Sequence, residues 1–319
     1  MDEKPFALIV AGPTCSGKSA LALGLAGRLD GVVINADAMQ CYRELRVITA
    51  RPTPAEEALV PHRLYGVRPA AEPGDAAWWR GAALATMAEA RAAGRLPILC
   101  GGTGLYFWSL VHGIAAIPEV PEPARVEARR LLAELGPGGL HGALAKVDRA
   151  TAARLHPSDS QRVARAWEVW RATGRGLAAW QAEPATPAPW RFAVLLLAPP
   201  REALRGAIAS RFATMLVQGA LEEVRALLAL GLDPALPAMH AHGVPELVSH
   251  LHGEISLAQA EAHAALATGQ YTKRQATWFR HRLLVEPSRL HTIHARIAGL
   301  AQFSVSELGQ IISFIRQSG

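Results

Sequence analysis

The chain has 319 residues, half of them hydrophobic, and a formal charge of +6 at neutral pH. That is enough apolar material for one large core or two smaller ones, yet no apolar run is long enough to span a membrane. Three cysteines (Cys15, Cys41, Cys100) without a C-x-x-C pair exclude a disulfide framework and a cysteine-ligated zinc site and fit a reducing cytoplasm.

The first apolar run, FALIVAG over 6–12, leads directly into Gly12-Pro13-Thr14-Cys15-Ser16-Gly17-Lys18-Ser19 and then an alanine-leucine helix pattern. It reads as a core strand, not a signal peptide. The octet matches G-x-x-x-x-G-K-[ST] in the required strand-loop-helix setting. The two glycines allow a tight turn that converges backbone N–H groups and a helix start on phosphate oxygens. Lys18 adds a point charge, and Ser19 offers a hydroxyl to a magnesium ion. Only Lys4, Lys18, Lys146 and Lys273 are lysines, against twenty-nine arginines, so a lysine kept in this loop stands out. Cys15 is either a small space-filling residue or, near a helix start, a reactive thiol.

Further apolar runs at 31–37 (GVVINAD), 96–102 (LPILCGG) and 192–198 (FAVLLLA) read as buried parallel strands with helices between them. Together they predict an α/β doubly wound parallel sheet of the P-loop NTPase-like kind. After Gly113, Pro118, Pro121 and Pro123 mark a linker into arginine- and alanine-rich helices, and AEPATPAPW (182–190) closes that block. The expected organisation is a core in two parts, 1–116 and 191–319, around a helical insertion at 117–190. Helices are expected from about 201 to 282; beyond Leu283 no motif is readable.

The second strand ends in Asn35-Ala36-Asp37, placing a carboxylate at the carboxyl edge of the sheet, where such folds gather ligands. Asp37 is thus a candidate base or magnesium partner, or alternatively a cap for the following helix. The run at 96–102 ends in Gly101-Gly102-Thr103, where glycines permit close backbone approach and Thr103 can donate to an oxyanion. P-loop enzymes that use ATP usually place an aspartate at such a strand end to help hold magnesium; here there is none. His240 and His242 lack a nearby third ligand for a metal. The pI of 9.6 favours acidic partners, nucleic acid or phosphorylated metabolites.

Taken in order, GPTCSGKS, NADAMQCYREL, VITARP, VPHRL, GRLPILCGGTGLY, HPSDSQRVARAWEVW, GALEEVRALLALG and QYTKRQATWFRH resemble the tRNA dimethylallyltransferase family over about residues 6–282. The resemblance implies transfer of a five-carbon allylic group from dimethylallyl diphosphate to the exocyclic amine of the adenosine on the 3′ side of the anticodon. Diphosphate leaves, no ATP is consumed, and Mg2+ is the expected cofactor. It assigns Asp37 as general base, Thr103 near the bridging oxygen, and Arg211 to the leaving group. For tRNA it points to residues 37–40 (Asp37, Ala38, Met39, Gln40), Thr103 and Arg125. It adds Asp159, Ser160, Gln161, Arg162 and Val163, and the segment His240, Ala241, His242, Gly243, Val244 and Pro245. Lys273, Arg274, Arg280 and Arg282, interleaved with Tyr271, Trp278 and Phe279, suit phosphate contact or stacking, or equally an amphipathic helix with solvated charges. A cytoplasmic monomer without membrane partner is expected. The chain departs from the family pattern at Ala38, Ile48, Arg51, Ala207, Val244 and Pro245. A small-molecule P-loop kinase and a catalytically silent tRNA-binding relative are the competing readings.

Overall fold

The computed structural model describes residues 4–319. Six parallel strands, β1 (Phe6–Ala11), β2 (Gly31–Asn35), β3 (His62–Arg63), β4 (Leu96–Gly101), β5 (Arg191–Leu197) and β6 (Leu290–Ile293), form one sheet in the order β3-β2-β4-β1-β5-β6. Helices follow in chain order: α1 (Lys18–Arg28), α2 (Pro54–Leu59), α3 (Ala76–Ala92), α4 (Gly104–Val111), α5 (Glu122–Val147), α6 (Arg149–Ala152), α7 (Ser160–Thr173) and α8 (Leu177–Gln181). After β5 come α9 (Arg201–Val217), α10 (Ala220–Ala229), α11 (Val244–Leu251), α12 (Leu257–His281) and α13 (Val305–Ser318).

The four long strands fall where the apolar runs lie. Each is buried along almost its whole length, as expected of a parallel sheet covered on both faces. Alternation decides which residue meets which layer. Leu8, Val10, Val33, Ile98, Leu195 and Leu197 pack with Leu21 and Leu25 of α1 and with Ile311 and Ile315 of α13. α3 and α4 pack on each other, and α3 also meets β2 and β4. Here fully buried Trp79 stacks on Tyr106 at 4.3 Å between ring centres and donates from Nε1 to the Asn35 carbonyl at 2.8 Å.

The structure adds two strands that the sequence reading did not contain. β3 has only two residues and β6 four, and neither is fully buried. Both sit at sheet edges, where a half-covered strand shows no continuous apolar run. The stretch after Leu283, which carried no readable motif, supplies β6 and α13.

A separate apolar cluster joins α9, α10, α11 and α12 to the segment after β2. Its buried members include Tyr42, Leu45, Ile48, Phe212, Met215, Val224, Leu227, Val244 and Leu247, with Ala260 and Ala264 from α12. The chain divides into two compact units, the described residues up to Val111 with Ala188–Gly319, and His112–Pro187. The second unit contains α5 to α8 around Leu140, Leu144, Ala152, Val163 and Ala166. α5 breaks at Gly136 (φ 67°, ψ 174°), before Pro137, because proline cannot continue the helical hydrogen-bond ladder. No helix among the described residues is long and apolar enough to cross a membrane.

Trp79→Phe removes a buried donor and leaves the Asn35 carbonyl without it. The expected loss is about 2 kcal/mol of unfolding free energy, read from urea denaturation followed by far-ultraviolet circular dichroism.

Candidate functional site

The loop after β1 is shaped by backbone crowding. Gly17, the N-cap of α1, has φ 91°, and a Cβ there would overlap the Ile297 carbonyl; both space and conformation require glycine. Cys15 holds φ 65°, a strained value for a residue with a side chain. The segment after β6 braces the loop from outside: Arg296 Nε donates to the Cys15 carbonyl at 3.1 Å and the Ile297 amide to the Ser16 carbonyl at 2.9 Å.

Of the loop amides, Ser16 N–H turns back to the Pro13 carbonyl at 3.2 Å and Thr14 N–H donates to Gln275 Oε1 at 2.8 Å. The amides of Cys15 and Gly17 make no backbone hydrogen bond among the described residues. The first-turn amides of α1 have no intrahelical acceptor by construction. The result is a set of converging donors at a helix start, the arrangement that binds anions. Ser16 is 1% exposed and its hydroxyl has no partner, so the cradle contains an unsatisfied polar atom. Ser19 is exposed. No group of three or more metal-binding side chains occurs among the described residues; a magnesium ion here would be held by Ser19 together with ligand oxygens and water, as Mg2+ commonly is at phosphate sites.

Burial pushes the Cys100 thiol up to about 11, although nearby Lys18 and a hydrogen bond from Ser19 oppose this. Lys18 therefore lies close to the end of β4. Burial, with Asp37 adding to it, pushes Cys41 up to about 12.

The loop after β2 runs beside this cradle. Fully buried Asn35 organises it, accepting from Asp37 N–H at 2.8 Å and donating to the carbonyls of Asp37 and Leu64, both at 3.0 Å. Asp37 Oδ1 accepts from the Met39 amide at 3.1 Å. One carboxylate oxygen thus closes a local turn, and Oδ2 has no hydrogen bond among the described residues. The cap and the chemical readings of Asp37 are compatible, one oxygen for each.

β4 ends against this loop. A Cβ on Gly101 would overlap the Ala36 carbonyl, so close approach of two backbones requires glycine there, while at Gly102 it is the Gln275 side chain that leaves no room. Thr103 N–H donates to the Ala36 carbonyl at 3.2 Å, and Thr103 Oγ1 accepts from Ala38 N–H at 3.0 Å. The hydroxyl proton of Thr103 remains available. On the far side Arg211 of α9 donates through Nη2 to the Thr49 carbonyl at 3.1 Å, with Nη1 4.0 Å from Cys15 Sγ. The loop 12–19, Asp37, Thr103 and Arg211 thus converge at the carboxyl ends of β1, β2 and β4.

Of the other sequence-derived positions, Gln40 uses Nε2 for the carbonyls of Thr49 and Ala50 at 2.9 and 3.0 Å, which fixes the 47–52 segment. In the segment 240–245, Ala241, Gly243 and Val244 are buried, whereas His240 and Pro245 are exposed. Half-buried His242 packs on Tyr271 with ring centres 4.7 Å apart. Burial lowers its imidazole pKa; Glu246 and Asp37 oppose this and Arg274 reinforces it. Arg125 and Asp159 to Val163 belong to the second unit. Asp159 caps α7, accepting from Arg162 N–H at 3.2 Å, Gln161 and Arg162 are exposed, and Val163 is core. On α12, Lys273, Arg274 and Arg280 are exposed, as is Arg282 just beyond it, while Phe279 is buried. The helix is both amphipathic and basic on its open side.

The sequence reading assigned no role to Glu223, Gln275 or Arg296. Glu223 accepts the amides of Arg46, Val47 and Ile48 at 2.8–2.9 Å and so orders the segment that meets Arg211 and Gln40. Glu223 and Gln275 lie within quoted motif blocks, but nothing in a single sequence reveals which backbone a side chain will reach. Arg296 had no signal at all.

The sheet order and the glycine-lysine loop after β1 make this an α/β protein of the P-loop NTPase-like fold. Residues 40–282 match the family model described as IPP transferase, and residues 6–68 the one described as isopentenyl transferase. The tRNA dimethylallyltransferase of Granulibacter bethesdensis is 62% identical over 99% of each chain. That of Acidiphilium cryptum is 61% identical over 98% of this chain and 95% of its own. Among solved structures, a tRNA isopentenylpyrophosphate transferase from Bacillus halodurans superposes with a TM-score of 0.70 at 28% identity, covering 99% of this chain and 98% of its own. A eukaryotic dimethylallyltransferase acting on tRNA shares the fold, with a TM-score of 0.80 at 24% identity over 99% of this chain and 80% of its own. The chain belongs to the tRNA dimethylallyltransferase family.

A thiol held at about 11 or 12 carries a vanishing thiolate fraction at neutral pH, falling about tenfold per unit. Cys15 is half-buried, and Cys41 and Cys100 are buried. Iodoacetamide near neutral pH is expected to label Cys15 at least about tenfold faster than either, as read by peptide mass spectrometry.

Proposed function

We propose that this protein transfers the dimethylallyl group of dimethylallyl diphosphate to the exocyclic amine of the adenosine on the 3′ side of a tRNA anticodon. The observation that carries the reading is the convergence of an anion cradle bearing Lys18 with a carboxylate whose second oxygen is free, across a strand end occupied by Gly101-Gly102-Thr103. Phosphoryl transfer calls for magnesium-holding acidic groups around a triphosphate. Transfer of an allylic carbon calls for a site that stabilises a departing diphosphate and a base that faces the incoming amine.

The step balances simply. The bond between C1 of the donor and its diphosphate oxygen breaks as a bond from C1 to the adenine nitrogen forms, and the amine proton passes to Asp37. The adenine amine is a weak nucleophile because its lone pair is delocalised into the ring, so proton removal belongs with bond formation. The loop amides and Lys18 bind the diphosphate, whose charge rises as the bond breaks, and preorganised donors need no rearrangement to meet it. Thr103 has a hydroxyl proton to donate to the same group, and Arg211 stands beside the cradle as a further cation. Ser19 would hold Mg2+, which when bound supplies additional charge compensation at the diphosphate.

A base inside an anticodon loop must leave its stack to reach Asp37. At the site itself the accessible polar groups of the segments 37–40 and 240–245, Asp37, Gln40, His240 and His242, are suited to contact the base. Arg125, Gln161 and Arg162 in the 117–190 insertion, and the open basic face of α12, are suited to phosphates. We take the enzyme to work as a cytoplasmic monomer.

The test offers the protein an anticodon stem-loop, labelled dimethylallyl diphosphate and magnesium, with ATP as a competing donor. Label in RNA is expected. Rapid ATP use with an untouched allylic donor would establish a kinase instead, and RNA binding without transfer a silent relative. Asp37→Ala is expected to lower turnover about 10²- to 10⁴-fold with stem-loop affinity within about twofold, since one carboxylate adds little to the binding of a polyanion. Equal losses in rate and RNA affinity would make Asp37 an RNA anchor. Lys18→Ala is expected to weaken diphosphate binding and slow transfer together, about 100-fold in kcat/KM, measured by titration and initial rates.

A further inference from the structure

Gln275 is 4% exposed, in the interior of α12, and all of its side-chain hydrogen bonds go to the ends of two strands far away in sequence. Oε1 accepts from the Thr14 amide at 2.8 Å and from Thr14 Oγ1 at 3.2 Å, and Nε2 donates to the Gly102 carbonyl at 3.0 Å. A Cβ on Gly102 would overlap Gln275 Nε2, and one on Gly104 would overlap the Trp278 ring one turn further along the same helix. Three contacts from one helix face thus seat α12 across the paired ends of β1 and β4, where Ala11 lies opposite Gly101.

The consequence lies in what each bonded group does next. Thr14 belongs to the anion cradle, and its amide is the one that Gln275 withdraws from the ligand. Gly102 precedes Thr103, whose amide and hydroxyl hold the carbonyl of Ala36 and the amide of Ala38, the two neighbours of Asp37. One carboxamide therefore sets the spacing between the loop that binds the leaving group and the edge that carries the base.

We propose that Gln275 is a positioning residue for the transfer. It keeps the phosphate loop in its binding shape and in register with the Thr103–Asp37 edge, without touching either substrate. The inference rests on the proposed transfer reaction only for its kinetic readout.

Gln275→Met keeps the length of the side chain and removes its hydrogen bonds. Gln275→Glu keeps an acceptor for Thr14 but turns an acceptor oxygen toward the Gly102 carbonyl. Four quantities are measured for both: melting temperature, affinity for inorganic diphosphate with magnesium, affinity for the stem-loop, and kcat and KM for the allylic donor. Gln275→Met is expected to weaken diphosphate about tenfold, about the net worth of one buried hydrogen bond out of the three it removes. It should lower kcat about 100-fold, as misplacement of reacting groups by an ångström does, with stem-loop affinity within about twofold. Gln275→Glu is expected to lower kcat comparably, because it too breaks the link to Gly102. Turnover within threefold of wild type in either folded variant overturns the proposal. So does a parallel loss of melting temperature, diphosphate affinity and stem-loop affinity in both, which would make Gln275 a purely structural group. If the wild-type protein gave no transfer, the reaction would be wrong, and the diphosphate titration would still judge Gln275.

Discussion

The site depends on chain segments packed so closely that four positions leave no room for a Cβ, against backbone at Gly17 and Gly101 and against side chains at Gly102 and Gly104. At the carboxyl ends of β1, β2 and β4, Gly17 meets the Ile297 carbonyl, Gly101 meets Ala36, Gly102 meets Gln275 and Gly104 meets Trp278, each at a separation that a Cβ would fill. Crowding of this kind leaves little room for the loops to relax, so the unbonded amides of the cradle and the second oxygen of Asp37 are held in place before any ligand arrives. Preorganisation matters most where charge develops during a reaction, since donors that are already oriented need not reorganise as the bond breaks.

Most of the sheet was legible because a strand covered on both faces must be apolar throughout, and FALIVA, GVVIN, LPILCG and RFAVLLL satisfy that rule. The phosphate loop was legible because its chemistry fixes both residue type and spacing. β3 and β6 were not, since an edge strand of two to four half-covered residues has no pattern to distinguish it from a loop. The positioning groups were hidden for a different reason. Glu223, Gln275 and Arg296 act on backbone atoms more than 170 residues away, and a backbone donor or acceptor leaves no residue-type signature at the position it occupies.

Three of the departures from the family pattern, Ile48, Arg51 and Val244, can be read from their packing. Ile48 and Val244 are both buried in the cluster that contains Phe212, and a Cβ on Gly243 would lie 2.6 Å from Ile48 Cδ1 and 2.8 Å from Phe212 Cε2. Ile48 packs directly on Gly243, whose φ of 97° already calls for glycine, so the isoleucine lies against a position that carries no side chain. Arg51 lies over Gly66 and donates to the Arg43 carbonyl at 3.2 Å, with burial lowering its pKa from the usual arginine value. Among the described residues only Nη1 finds acceptors there, the carbonyls of Tyr42 and Arg43, while the buried Nε has no partner, so the planar guanidinium fills the slot mainly by shape.

α12 shows how one helix serves two chemistries at once. Thr272, Gln275 and Phe279 point inward at three- and four-residue spacing, the period of a single helix face, and this face carries every contact with the strand ends. Lys273, Arg274 and Arg280 lie on the open side, so their charges remain solvated and available to a polyanion. Because Arg274 and Gln275 are adjacent on one helix, about 100° apart around its axis, any shift of α12 that moved the exposed arginine would be felt by Thr14 and Gly102. The rigidity of the inward face, with its glycine-limited contacts, allows the outward face to be loaded with charge without disturbing the cradle.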